Sequence, residues 1–270
     1  MRYVILVFTL AFALTARADI TARSWIVADE RGNTISEKES LRVQPIASIT
    51  KLMTVLIVLE ADQPRDEIIK LDWRQATYYH TRLPRSVKSL TRDQLIDLAL
   101  VKSDNFAAYH LCQNYPGGTT NCVLQMNREA ERLGMIHTHF DEATGLDEDN
   151  VSNAYDLVKL VLEASKYPDI TDAGGNPVVK INFKKHWWEF KNTNPLVKEN
   201  SSIRVSKTGY IHQSGGCIAL LIDTDVGPRV IVLLGSRNTH TRIPEAQELI
   251  LNVSNKSIVL PRKCNTVLTF

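Results

Sequence analysis

The apolar positions of this chain form strand-patterned blocks toward both ends and a helix-patterned block between them. Ser24-Trp25-Ile26-Val27-Ala28-Asp29-Glu30, the turn Arg31-Gly32 and Asn33 to Ser40 read as a β-hairpin. Pro45-Ile46-Ala47 then leads into Ser48 to Ala61, an apolar run with helical patterning. From about Thr91 to Lys166 the pattern is mainly helical. There Thr91-Arg92-Asp93-Gln94 is a capping box before Leu95 to Leu100, Val123 to Leu133 is closed by Gly134, and Ala154 to Ser165 is a further helix. After Asp172-Ala173-Gly174-Gly175 the pattern changes to strands at Ile203–Tyr210, Cys217–Thr224 and Arg229–Leu234, with Asp225-Val226-Gly227-Pro228 turning between the last two. Pro244 to Val253 is a final helix.

The order strands, helices, strands, helix predicts a mixed α/β (α+β) fold. Its sheet is built from both ends of the chain (about 19–85 and 170–270), with an all-helical lobe (about 86–169) inserted between them. Such an insertion leaves a cleft where the lobes meet, a usual place for a substrate. The first residues lie outside this scheme. Arg2 gives a basic start, Tyr3 to Leu14 is mostly apolar but short for a membrane span, and Ala16-Arg17-Ala18 has the small-x-small form of a cleavage site. Residues 1–18 are therefore expected to be a signal peptide, and the protein to be exported, with no membrane anchor after cleavage.

Losing Arg2 and Arg17 with that segment takes the formal charge from +2 to zero. A balanced chain gives no electrostatic reason to expect nucleic acid or an anionic membrane as a partner. Four cysteines are few for a disulfide scaffold. Cys112 and Cys122 flank the turn Asn114-Tyr115-Pro116-Gly117-Gly118 and could bridge it. Pairing all four, with Cys217 and Cys264, allows three connectivities, and a buried free thiol is the other reading of Cys217. There is no C-x-x-C and no H-E-x-x-H; His137 and His139 read as surface residues, and neither metal nor cofactor is expected.

Three short words carry the chemistry: Ser48-Ile49-Thr50-Lys51, Ser103-Asp104-Asn105 and Lys207-Thr208-Gly209. An S-x-x-K alone should occur roughly once by chance in a chain of this length. Here it falls 55 residues before Ser103, which lies 104 before Lys207, and the three words in that order mark serine enzymes acting on D-alanyl peptides and penicillins. Residues three apart on a helix share a face, so Lys51 can reach Ser48, and a helix N-terminus suits a developing oxyanion. Lys51 can act as a base near neutrality only if burial and a second ammonium, Lys207, lower its pKa. Ser103 is expected to bridge the two lysines and pass a proton to the leaving amine. Asn105 offers a donor and an acceptor to a substrate amide. Lys207 to Gly209 sits in a strand that can hold an extended peptide, with Gly209 allowing close approach and the amides of Tyr210 and Ser48 forming an oxyanion hole. Ser236-Arg237-Asn238 also fits S-x-N, but follows the last strand and is the weaker candidate.

At these residues the chain resembles low-molecular-mass penicillin-binding proteins, the D-alanyl-D-alanine carboxypeptidase and endopeptidase family. Tyr115-Pro116-Gly117-Gly118, Leu133-Gly134-Met135, Thr144-Gly145-Leu146, Asn150-Val151-Ser152 and Asn192-Thr193-Asn194-Pro195 extend the resemblance through most of the chain, and several of these words look more like the endopeptidase branch. The resemblance implies a β-lactamase/transpeptidase-like fold with a five-stranded antiparallel sheet flanked by helices. It also implies an acyl-serine at Ser48, Lys51 as base, Ser103 and Asn105 on one wall of the cleft, and Lys207, Thr208 and Gly209 on the other. Arg242 has the offset of an arginine that holds the substrate carboxylate, with Arg237 as a competitor. The implied substrates are peptidoglycan stem peptides in the periplasm or cell wall, and β-lactams are implied covalent inhibitors. The chain ends at Phe270, leaving no room for the C-terminal β-domain and amphipathic anchor of some relatives. A β-lactamase would want a deacylating glutamate, commonly in Glu-x-x-x-Asn; none occurs between Ser103 and Lys207, so slow penicillin turnover is expected.

Overall fold

A computed structural model describes residues 20–183 and 186–254. The expected signal peptide and Cys264 lie outside the described residues. The chain opens on strands β1 (Ser24–Asp29), β2 (Thr34–Lys38) and the short β3 (Gln44–Pro45), followed by helix α1 (Thr50–Glu60). A small ribbon of β4 (Ile68–Lys70) and β5 (Ser89–Thr91) precedes helices α2 (Arg92–Val101), α3 (Asn105–Gln113) and α4 (Gly118–Arg132). Then come β6 (Val151–Ser152), α5 (Ala154–Ala164), α6 (Pro168–Gly175), the hairpin β7 (Val178–Phe183) and β8 (His186–Lys191), and α7 (Leu196–Glu199). Strands β9 (Ile203–Ile211), β10 (Gly215–Thr224) and β11 (Gly227–Ser236) and helix α8 (Arg242–Ser254) close the described chain.

Five strands form one antiparallel sheet in the order β2-β1-β11-β10-β9, so the two ends of the chain meet where β1 pairs with β11. Side chains alternate between the faces of a strand. In β10, Cys217, Ala219 and Leu221 therefore join the helix-rich core with α1, while Ile218, Leu220 and Ile222 pack with Ala246, Leu249 and Ile250 of α8. Both faces are covered, which is why this strand reads as a continuous apolar run rather than an alternating one. Helix α1 is buried from Thr50 to Val58 and forms the axis around which α2 to α6 pack. A helix that is apolar all round needs such a site.

The described elements differ from the sequence reading in three places. Helix α4 begins at Gly118, five residues before the expected start, capped by Gly117 in the left-handed region at φ +84°. Helix α6, which the glycine-ended stretch at 172–175 closes, has no sequence expectation, although strands follow it as expected. The β7–β8 hairpin has no sequence expectation, although Val179, Ile181 and Phe183 alternate with Lys180 and Asn182 and face the core; only Ile181 and Phe190 of its twelve residues are fully buried. Cys112 and Cys122 are joined, tying α3 to α4, whereas Cys217 is a buried free thiol. Constraining a loop of this size in the unfolded chain stabilises the fold by about 3 kcal/mol on the chain-entropy account. His137 and His139 are exposed.

Candidate active site

Four segments converge at one end of α1. The first is the turn that carries Ser48. It was expected in the first turn of a helix, but Ala47–Ile49 forms a single 3-10 turn just before α1. The turn opens on Ala47, whose φ of +49° lies in the left-handed region. That conformation is held from several sides. The Ile46 amide donates to the Asn150 carbonyl at 3.1 Å, Thr50 Oγ1 donates to the Ala47 carbonyl at 2.8 Å, and β3 is paired to β6. Strain fixed by its surroundings in this way is typical of functional positions. Ser48 itself is half-buried at the N-terminal, electropositive end of α1.

The second segment is the loop 141–150, which presents one main-chain acceptor to the site. The Glu142 carboxylate accepts from the amides of Thr144 (2.6 Å), Gly145 and Leu146 (3.0 Å) and from Asn150 Nδ2 (2.9 Å). Three of these donors converge on Oε1 and one on Oε2, so the carboxylate is held within its own loop. The loop is pressed against the Ser48 turn. Gly145 has φ +76°, and a Cβ there would lie 2.0 Å from the Ala47 carbonyl oxygen. Shaped this way, the loop aims the Thr144 carbonyl at Lys51.

Lys51 is fully buried, and its Nζ has three partners: Ser48 Oγ at 2.8 Å, Asn105 Oδ1 at 2.6 Å and the Thr144 carbonyl at 2.6 Å. Burial pushes its pKa down to about 7, against the opposing pull of the Glu142 and Asp104 carboxylates. An ammonium carries three donors and no lone pair, whereas a neutral amine keeps two donors and gains a lone pair. The carbonyl oxygens of Asn105 and Thr144 can only accept. When Lys51 is neutral its two N–H groups go to them, and its lone pair is left for the one partner with a proton to give, Ser48.

The third segment is the Ser103-Asp104-Asn105 word at the start of α3. Asp104 caps that helix, accepting from the Ala107 amide at 2.9 Å, and also accepts from Thr81 Oγ1 at 2.7 Å. Burial raises its pKa. Ser103 has φ +57°, another left-handed non-glycine residue. Its Oγ accepts from Lys207 Nζ at 2.6 Å. The expected bridge from Ser103 to both lysines is only half present, since no hydrogen bond among the described residues joins it to Lys51. Asn105, not Ser103, occupies that position. Its acceptor oxygen is thereby committed, leaving the Nδ2 donor for a ligand. Ser236, the competing S-x-N serine, is buried and donates to Glu245 at 2.7 Å, away from the lysines.

The fourth segment is β9, the edge strand of the sheet. Lys207 is 1% exposed and donates to Ser103 and to the Thr208 carbonyl at 2.9 Å. Burial, then the charges of Lys51 and Arg242, push its pKa well below the ordinary lysine value. Repulsion between Lys51 and Lys207 belongs to the pair and disfavours two ammonium groups at once. Thr208 Oγ1 donates to Thr193 Oγ1 at 2.7 Å, and the Thr193 amide donates to the Val101 carbonyl at 3.0 Å, which ties β9 to the end of α2 just before Ser103. A Cβ on Gly209 would lie 2.9 Å from both the Ile46 oxygen and the Ser48 nitrogen, so only glycine lets the strand approach the serine turn this closely. The Tyr210 side chain is exposed. Arg242 is buried behind the strand and donates to the Gly209 carbonyl at 2.7 Å, with its Nε unpartnered among the described residues, while Arg237 is exposed.

Of the nine sequence candidates, Ser48, Lys51, Ser103, Asn105 and Lys207 to Gly209 are thus brought together, with Arg242 behind the strand and the Tyr210 side chain exposed. Sequence reasoning missed Glu142, Thr144 and Thr193. Thr144 acts through its carbonyl, which every residue possesses, so only the neighbouring Gly145 and Asn150 signalled the loop. The one grouping of described residues with metal-ligand spacing, Glu60, Glu129 and Glu163, lies at the other end of α1. There Arg132 pairs with Glu129 and Glu163, and Tyr167 donates to Glu60.

Comparisons with known proteins fit this geometry. The family described as D-alanyl-D-alanine carboxypeptidase matches residues 11–238. The chain is 34% identical to D-alanyl-D-alanine endopeptidase of Escherichia coli (strain K12) over 251 residues, covering 89% of this chain and 80% of that protein. It is 32% identical to D-alanyl-D-alanine endopeptidase of Pseudomonas aeruginosa, covering 87% and 78%. Among solved structures, penicillin-binding protein D2 of Listeria monocytogenes in its cefotaxime-bound form has a TM-score of 0.75 at 25% identity, covering 87% of this chain and 97% of that one. The Streptomyces K15 DD-transpeptidase shares the fold with a TM-score of 0.81 at 22% identity, covering 90% and 100%.

Proposed function

The chain belongs to the D-alanyl-D-alanine carboxypeptidase family, and on that premise we propose that it is an exported serine peptidase that cuts D-alanyl peptide bonds of peptidoglycan through an acyl-serine. The observation that carries this reading is the buried Lys51 amine 2.8 Å from Ser48 Oγ, with both of its other partners able only to accept. Ser48 is the nucleophile and neutral Lys51 the base that takes its proton. The tetrahedral oxyanion forms between the amides of Ser48 and Tyr210, at the positive end of α1. Ser103, polarised by Lys207, hands a proton to the departing amine. Water then releases the acyl group.

The substrate lies as an extended strand along the free edge of β9, with Asn105 Nδ2 donating to it from the opposite wall. Thr208 faces the leaving side. Arg242 acts from behind, fixing the Gly209 carbonyl and adding positive potential for the substrate carboxylate. Penicillins acylate the same serine. Their release is expected to be slow: Glu142, the carboxylate near Lys51, is engaged by four N–H donors of its own loop rather than held free to position a deacylating water. No helix among the described residues is long and apolar enough to cross a membrane. The export assignment rests on the leader pattern.

Two activities share this chemistry. An endopeptidase releases the side-chain amine of a diamino acid in a crosslink, and a carboxypeptidase releases free D-alanine. The endopeptidase reading is favoured by the relatives at 32% and 34% identity, which are endopeptidases. Digestion of purified peptidoglycan, followed by mass spectrometry of the fragments, decides between them. Loss of crosslinked dimers, absent with Ser48→Ala, is the expected result. Loss of terminal D-alanine alone would make the protein a carboxypeptidase, and an unchanged fragment pattern would exclude peptidase action.

A further inference from the structure

Ser103 also borders a pocket of about 410 Å³ walled by His80, Thr81, Arg82, Lys102, Ser103 and Asp104. Its charge is one-sided. Arg82 and Lys102 place a guanidinium and an ammonium on its wall, with the His80 imidazole beside them. Asp104 is the single acidic residue of the wall, and it is turned inward, 4% exposed, with its carboxylate held by Thr81 Oγ1 and the Ala107 amide. Those bonds also staple the 80–82 loop to the start of α3 and so fix the pocket's outer wall. Many other cations of the protein are paired: Arg65, Arg92 and Arg132, for example, each have a carboxylate partner. Among the described residues, the side chains of His80, Arg82 and Lys102 have no ion-pair or hydrogen-bond partner. Three uncommitted basic groups around one pocket, in a chain whose formal charge is only +2, are not a by-product of overall basicity.

We infer that this pocket is a subsite for a carboxylate carried by the departing strand, beyond the residue whose amine is released. The inference rests on the peptidase reading above and deepens it. Ser103 protonates the leaving amine, so a pocket walled by Ser103 receives what lies on the leaving side. A departing D-alanine carries a single carboxylate, next to its amine, and does not reach further. A departing crosslinked stem peptide does: it bears additional carboxylates along its length, as on a γ-linked glutamate. The pocket therefore recognises the acceptor arm of a crosslink and favours endopeptidase over carboxypeptidase action.

The test uses purified protein and pairs of synthetic crosslinked peptides. In each pair the outlying carboxylate is either free or converted to the carboxamide, and the change is made separately on the leaving arm and on the acyl arm. Labelling with a fluorescent penicillin counts live serines, so rates are compared per active site. The native protein is expected to favour the free carboxylate on the leaving arm on the order of fivefold to tenfold in kcat/KM, as two partly exposed ion pairs would give. That preference should shrink as salt is raised. In the double variant Arg82→Gln/Lys102→Gln the ratio should fall toward one. Equal rates on the two leaving-arm peptides, a ratio that survives the double substitution, or a preference confined to the acyl arm would each overturn the subsite. If no peptide were cut and no penicillin bound, the peptidase reading itself would fail and the subsite with it. Cutting without preference would remove the subsite alone.

Discussion

Lys51→Met is expected to slow acylation of Ser48 by about 10³- to 10⁴-fold, the usual upper range for loss of a general base. Methionine retains most of the aliphatic stem within the core around α1 but removes the lone pair that takes the serine proton. Stopped-flow measurement with a fluorescent penicillin reads the effect directly. The sign of the pH dependence follows from the amine. Burial lowers the Lys51 pKa to about 7, and only the neutral form accepts a proton, so the native acylation rate should rise with pH and level off above about 7. The variant should lose that rising limb. A native-like rate or an unchanged pH profile in Lys51→Met would place the base elsewhere.

Gly145→Ala is expected to have the second-largest effect, although residue 145 makes no contact with substrate. Its φ of +76° costs an L-residue about 1–2 kcal/mol. A Cβ 2.0 Å from the Ala47 oxygen must also displace backbone, adding about 1–3 kcal/mol of overpacking. The atoms displaced are the Thr144 carbonyl, which orients Lys51, and the turn that carries Ser48. A shift of about 1 Å there should cost on the order of 10²-fold in acylation. Gly118→Ala is the control, because Gly118 has φ +73° but open space where its Cβ would go. It should show the backbone cost in a urea melt and leave acylation intact. Equal behaviour of the two variants would mean that the Gly145 contact does not shape the site.

The sequence was legible where chemistry or periodicity depends on side-chain type. The three catalytic words stood out because serine, lysine and asparagine at those spacings have few other reasons to coincide. Strands β9 to β11 and helices α1 and α5 were legible because burial gives them runs or stripes of apolar residues. Other features were hidden, each for a physical reason. Ala47 has an ordinary side chain, and its left-handed backbone is imposed by the loop packed against it, so the displacement of Ser48 from α1 into a 3-10 turn leaves no trace in the sequence. The Thr144 carbonyl is a main-chain group and has no letter of its own. The exchange of Asn105 for Ser103 as the partner of Lys51 depends on the left-handed turn at Ser103, which swings its hydroxyl toward Lys207. The β7–β8 hairpin carried a period-two signal in Val179, Ile181 and Phe183, but over one short strand whose partner buries only Phe190. The cationic pocket was equally invisible, since His80, Arg82 and Lys102 come from two segments that adjoin only once Asp104 has fixed the 80–82 loop.

The central claim is that two buried lysines share too few protons for both to be charged, and that the uncharged one activates Ser48. Titration of the lysine side chains by NMR in the intact protein, with Lys51→Met and Lys207→Met to assign the signals, tests it most directly. One of the two buried amines should titrate near pH 7, with a pKa that shifts when the other lysine is removed. Two buried amines that both titrate above about pH 10, insensitive to each other, would contradict the account.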